Sequence, residues 1–351
     1  MITIIKKIAY LFLLGVFFNS CIEPADIKGD YYEKALVVEG RITTDLGPHT
    51  IRITESARYG SIFDGVIEPV TTAQVTIRDS EGRSNLLTHT GFGLYNTEAD
   101  FAGEVGKGYI LMIEYADKTY NSRQEIIEKS GEIDSIYPLY KEIPFLSEGG
   151  ILNYRTGVDI YGKYKKSDDA AKYYYWDYQS AFFIKTYPEL FTVATRSGRV
   201  SAPKSCCSEC YRTESESDGA ISAFPVGSNA TDAKLFFIED NGYRFFSKYV
   251  MTIKRYSISR EAFLFYDLIR QQQEINGEIF DPPPAALRGN ILNIDDLDEI
   301  VVGYFLASDV QEKKVTINRS DLKTITTLPV FADNCLELSR TSTSAPALWN
   351  E

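Results

Sequence analysis

The chain has 351 residues, of which 44% are hydrophobic and 25% charged, and its formal net charge is −12. That length predicts about two domains, and the apolar share is ample for real cores. An acidic chain argues against nucleic acid as a partner. Aromatic residues make up 13%, with 24 Tyr and 20 Phe. Such a composition suits strands and recognition surfaces alike.

In chain order, Lys6 and Lys7 precede an apolar run, Ile8 to Phe18, and Asn19-Ser20 then lead into Cys21. The run is short for a membrane span, and the pattern reads as a secretory signal over residues 1–20. The Phe18-Asn19-Ser20-Cys21 ending reads as a lipobox, with cleavage before Cys21 and lipid on its thiol. An ordinary cleaved signal, leaving Cys21 free or paired, is the alternative. Acyl chains contribute about 0.8 kcal/mol per buried CH2, so two or more give stable anchoring. The acidic tether, residues 21–33, begins Ile22-Glu23-Pro24-Ala25-Asp26. Acidic residues at that place resemble a signal for display on the outer face of the outer membrane; a solvated tether is the plain alternative. No later segment is apolar enough to span a bilayer.

A first β domain is expected over residues 34–128. Ala35–Gly40, His49–Thr54, Val75–Arg78, Gly91–Tyr95, Tyr109–Tyr115 and Thr119-Tyr120 read as strands, with turns at Asp79–Gly82 and Ala116–Lys118. Strands at this spacing without helices between them predict a β-sandwich. The order of elements resembles an Ig-like, transthyretin-like or carboxypeptidase-regulatory-like sandwich, a likeness that carries no activity.

After a linker-like strip, Ser130-Gly131-Glu132, a second β-rich domain is expected over residues 133–345. Val158–Tyr164 and Ala171–Thr186 read as paired strands. The aromatic string Tyr173-Tyr174-Tyr175-Trp176-Asp177-Tyr178 lies in the second. Its rings fit a sandwich core on one face with cross-strand pairing on the other. Tyr173, Tyr175, Trp176 and Tyr178 are also candidates for a binding platform. Pro203–Asn229 reads as an irregular excursion, and Tyr249–Tyr256 as a strand. The clearest helix spans about 260–273, with Ser257 or Ser259 as N-cap and Glu261 in its first turn. Pro282–Pro284 forbids its continuation. Val301–Leu306 and Lys314–Ile317 are the last strands.

Several strings occur together: Ile133–Tyr137, Ser257–Tyr266, Ile279-Phe280-Asp281-Pro282, Arg288-Gly289-Asn290-Ile291 and Val302-Gly303-Tyr304-Phe305. With the lipobox and the N-terminal sandwich, they resemble an outer-membrane lipoprotein family known as domain of unknown function 4249. Members are often encoded beside TonB-dependent outer-membrane receptors. The resemblance therefore implies a receptor partner in nutrient capture, and it supplies no active site.

Beyond Cys21, the cysteines are Cys206, Cys207, Cys210 and Cys335. An even count in an exported chain suggests disulfides. The favoured pattern joins one of Cys206 and Cys207 to Cys210 and the other to Cys335. A thiolate zinc site, using the Cys207-x-x-Cys210 spacing, is the second reading, and a redox C-x-x-C the third. His49 and His89 read as surface or edge residues. The cluster Asp295, Asp296, Asp298 and Glu299 reads as a solvated acidic turn, with calcium the alternative. No cofactor is expected beyond such structural zinc or calcium. No catalytic constellation is readable.

The reading is a lipid-anchored protein at the outer membrane, facing the exterior. It assists a TonB-dependent receptor by binding substrate or capping the channel. The rivals are a surface hydrolase with a carboxylate pair distant in sequence and a structural or adhesion protein of the envelope.

Overall fold

The computed structural model describes residues 34–56, 68–147, 149–166, 170–215, 219–224, 230–273, 287–323, 326 and 330–350. The leader, Cys21, the acidic tether and the Ile279–Pro284 strings lie outside the described residues. The fold is mainly β, with 55% of the described residues in strands. Among the described residues no helix is long and apolar enough to cross a membrane.

The first half is a two-layer sandwich of two six-stranded sheets enclosing one core. Leu36–Thr43 and Thr50–Glu55 form the heart of one sheet, Gly108–Tyr115 and Gln74–Asp79 that of the other. In each strand the apolar residues alternate inward. Val38, Ile51, Ile53, Val75, Ile77, Leu111 and Ile113 meet between the layers.

Both sheets are completed from far along the chain. Val301–Ser308 pairs in parallel with Leu36–Thr43, from Leu36↔Val301 to Thr43↔Ser308. Ile291–Asn293 pairs with Lys118–Ser122. The expected second domain, 133–345, thus surrenders two strands to the first sandwich. Sequence periodicity marks a strand but not its partner, so this crossover could not be read from the pattern.

A five-strand path, Val310–Asn318, Lys248–Ile258, Tyr173–Lys185, Glu209–Ser215 and Thr341-Ser342, forms the main sheet of the second half. Ala220–Ala223 also pairs with its central strand. A three-stranded sheet, built from Ile133–Leu146, Leu152–Lys165 and Ala230–Glu239, shares the core beneath it. The expected irregular excursion over 203–229 therefore carries two strands, because the central aromatic strand offers a free edge there.

The halves are locked together. Val301–Ser308 runs through Asp309 directly into Val310–Asn318, so one stretch of chain serves both sheets. Ser130 of the linker-like strip is fully buried. Arg255 donates from Nη2 to the Ser130 carbonyl at 2.6 Å, and Asp309 accepts the Ser130 N–H at 2.7 Å. The helix Arg260–Gln273 covers the joint, packing Ala262 and Phe265 against Tyr256, Tyr304 and Leu306. Ser259 is its N-cap, accepting from the Ala262 N–H at 3.2 Å. Ser257 is occupied elsewhere, accepting the Asp309 N–H at 2.9 Å.

Candidate functional site

The aromatic strand Tyr173–Lys185 decides what the joint can offer. It has strands on both sides and packed layers on both faces. Trp176 is fully buried, and its indole N–H donates to Ser222 at 2.8 Å. Tyr178 is buried with its ring edge-on to Phe236, centroids 4.8 Å apart. These two binding candidates are core residues, because alternation turns them, with Tyr174, toward the three-stranded sheet. The opposite face carries the other two. Tyr173 lies half-buried against Phe263, while Tyr175 is as buried as Tyr178, in a separate core cluster under the helix, its ring centre 4.9 Å from that of Tyr266. Behind the inward rings, buried Arg255 sits over Tyr164, Tyr174 and Trp176, and burial lowers its affinity for its proton.

Beside Tyr175 and Tyr266 an open groove of about 310 Å³ crosses the outer face of the first sandwich. Glu39 and Arg41 of the first strand, Thr50 and Arg52 of the second, and Leu94 form its floor and sides. Arg41 is pinned. It is ion-paired to Asp177, and its guanidinium stacks 4.0 Å from the Tyr256 ring centre. Its side chain still keeps 33% of its surface exposed. Glu39 and Arg52 are cross-strand neighbours, yet neither has an ion-pair partner among the described residues.

Two other cavities hold mostly paired charges. In a cleft of about 280 Å³ on the first sandwich, Arg83 pairs with Asp79, Glu81 and Glu104. Under the C-terminal tail, in a space of about 420 Å³, Glu214 is held by Arg244. Asp100 in the first of these and Arg340 in the second have no ion-pair partner among the described residues, but only the aromatic groove, of the three, sets two such charges of opposite sign side by side.

Two of the strings grouped in the sequence, Arg288–Ile291 and Val302–Phe305, meet at the joint. Buried Glu125 accepts from the Tyr304 hydroxyl at 2.8 Å and from Asn290 Nδ2 at 3.2 Å. Asn290 also brackets Phe305, accepting its N–H and donating to its carbonyl, each at 2.9 Å. A Cβ at Gly289 would lie 1.3 Å from the Gly303 carbonyl oxygen, and one at Gly303 would lie 2.0 Å from that of Val38. Gly303 also has φ +101°, so neither position tolerates a side chain. The spacing of these strings therefore encodes the crossover joint. Residues 22–314 match the family model described as domain of unknown function (DUF4249). The chain belongs to this family. The DUF4249 match takes in the groove and the joint, whereas Cys335 lies beyond it. No curated protein matches the chain.

The remaining candidates fall outside the groove. Cys210 is bonded to Cys335, and Cys206 to Cys207. The long-range bond thus starts from Cys210, not from Cys206 or Cys207 as favoured. Cys210 sits fully buried in Glu209–Ser215, facing the equally buried Cys335. This pairing also takes Cys210 from the Cys207-x-x-Cys210 knuckle. No group of His, Cys, Asp and Glu suited to a metal occurs among the described residues. His49 is buried, not at the surface, and burial lowers its pKa. Glu299 is a tie, not a solvated turn residue: it accepts from Lys118, Asn293 and Tyr120. Burial raises the pKa of Glu125, but this carboxyl lines none of the three cavities.

A second surface was not read from the sequence. The hairpin of Ile133–Leu146 and Leu152–Lys165 outruns its sheet. The third strand ends its pairing at Gly157↔Glu239, while the hairpin continues to Leu146↔Leu152. On this two-stranded ribbon Leu146 is 70% and Ile151 67% exposed, with Phe145, Leu152 and Tyr154 exposed beside them. Pro138 and Pro144 remove two amide donors from the outer strand, which discourages a further strand from pairing there.

Proposed function

We propose that this DUF4249 protein is a lipid-anchored accessory of an outer-membrane TonB-dependent receptor, displayed at the cell exterior. In this reading it gathers a small ligand in the Tyr175–Tyr266 groove and docks through the Phe145–Tyr154 ribbon. The ribbon carries the argument for a partner. Leu146, Leu152 and Tyr154 stand exposed on one face of the projecting hairpin, where apolar side chains are costly in water and mark a binding surface. The blunted edge favours side-chain docking over strand addition. Cys21 supplies the anchor, as the lipobox leads one to expect.

The test is purification of the full chain from its native envelope in mild detergent. A β-barrel receptor should come with the wild-type protein and be lost with a Leu146→Ser, Leu152→Ser variant. Absence of any barrel protein from the wild-type preparation would reject the partnership. Separately, Cys21→Ala should leave the chain soluble or unprocessed; a cleaved variant that stays on the membrane would reject the anchor.

A further inference from the structure

We propose that the groove beside Tyr175 and Tyr266 binds a neutral saccharide of one or two rings. This deepens the accessory reading by naming the ligand class of its groove. Glu39 and Arg52 have no ion-pair partner among the described residues and are free to meet a ligand. Glu39 can only accept hydrogen bonds and Arg52 can only donate them, and they are cross-strand neighbours on the floor. A simple anion in the groove would meet Glu39, and a simple cation would meet Arg41 and Arg52. A sugar hydroxyl donates and accepts at once, so adjacent hydroxyls satisfy both side chains, with the Thr50 hydroxyl alongside.

The walls fit the same ligand. Half-buried Tyr266 offers a ring against which the C–H face of a pyranose can lie, and the buried ring of Tyr175, its centroid 4.9 Å away, backs it. Arg41 is held in place by Asp177 and Tyr256, so the exposed third of its side chain meets a ligand without reorganising. The volume, about 310 Å³, lies at the small end of ligand sites. Gly219 fixes the tyrosine wall: a Cβ there would lie 2.2 Å from the Tyr175 ring.

Saturation-transfer NMR on the detergent-solubilised full chain tests the proposal. The probes are maltose, cellobiose, xylobiose, galacturonic acid and the zwitterion glycylglycine. At least one neutral disaccharide should bind through its ring C–H protons. The exposed pair Glu39→Ala and Arg52→Ala should each weaken that binding tenfold or more without shifting the melting temperature. Binding of galacturonic acid or glycylglycine alone, or of none of the probes, overturns the proposal. So does saccharide binding that survives the double variant. Receptor capture is scored on the same double variant: if it captures the receptor while wild type binds no sugar, only the saccharide inference falls.

Discussion

The joint and the ribbon are built from the same kinds of residue and meet opposite fates. At the joint, Trp176 and Tyr178 lie in a strand with partners on both sides and layers on both faces. Each ring has carbon neighbours, and the indole has Ser222. On the ribbon, Phe145, Leu146 and Leu152 lie in strands that have only each other. Exposure is decided by how many strands and layers surround a position, not by its hydrophobicity. Apolar residues are kept on the ribbon without the folding gain that burial supplies at the joint.

Substitutions should reproduce this contrast. The largest effect belongs to Trp176→Ala, which empties the centre of the second core and should cost about 3–5 kcal/mol. Urea unfolding reads it directly; a cost below about 1 kcal/mol would mean that the ring is not core. Next is the Cys210→Ser, Cys335→Ser pair. This bond closes a sequence separation of 125 residues, and its loss should cost about 2–5 kcal/mol in non-reducing thermal unfolding. An unchanged melting temperature would show that the bond does not tie the tail to the sheet.

A smaller, pH-dependent effect is expected at Glu125. Burial raises its pKa in the folded protein above the unfolded value. The folded state then holds the proton more tightly, so this contribution is complete below the unfolded pKa and is lost as pH rises through the folded one. Glu125→Gln should therefore gain on wild type as pH rises from acid toward neutral, in paired denaturation curves. A difference between the two proteins that is independent of pH would refute this. Least of all, Leu146→Ser with Leu152→Ser should change stability by no more than about 0.5 kcal/mol per site. A larger loss would place the ribbon tip in the folded core and end the comparison.

Much of the secondary structure was legible. Tyr109–Tyr115 alternates and is a strand from Gly108 to Tyr115; the helix runs from Arg260 to Gln273 as its stripe and caps predict. The DUF4249 resemblance was legible too, from strings whose glycines and Asn290 are now seen to meet. What stayed hidden depends on partners. Val301–Ser308 is apolar on nearly every residue because the helix covers one face and the sandwich the other. Nothing in that run names Leu36–Thr43 as its neighbour. For the same reason the groove was not foreseen. Glu39 and Arg52 are unremarkable outward positions until the register sets them side by side. The aromatic string showed Tyr175 and Trp176 as equals, and only the layer on each side assigned one ring to the core under the helix and the other to the core under the three-stranded sheet.

The parallel pairing of Leu36–Thr43 with Val301–Ser308 also imposes an order in time. A chain made from its N-terminus produces the first strand about 260 residues before the strand that must lie beside it. At ordinary synthesis rates of about 5–20 residues per second, that interval is roughly 10–50 s. Throughout it, the first sheet has an unpaired inner edge, open to any other extended chain. A nascent molecule of this kind depends on whatever shields that edge until residue 308 arrives.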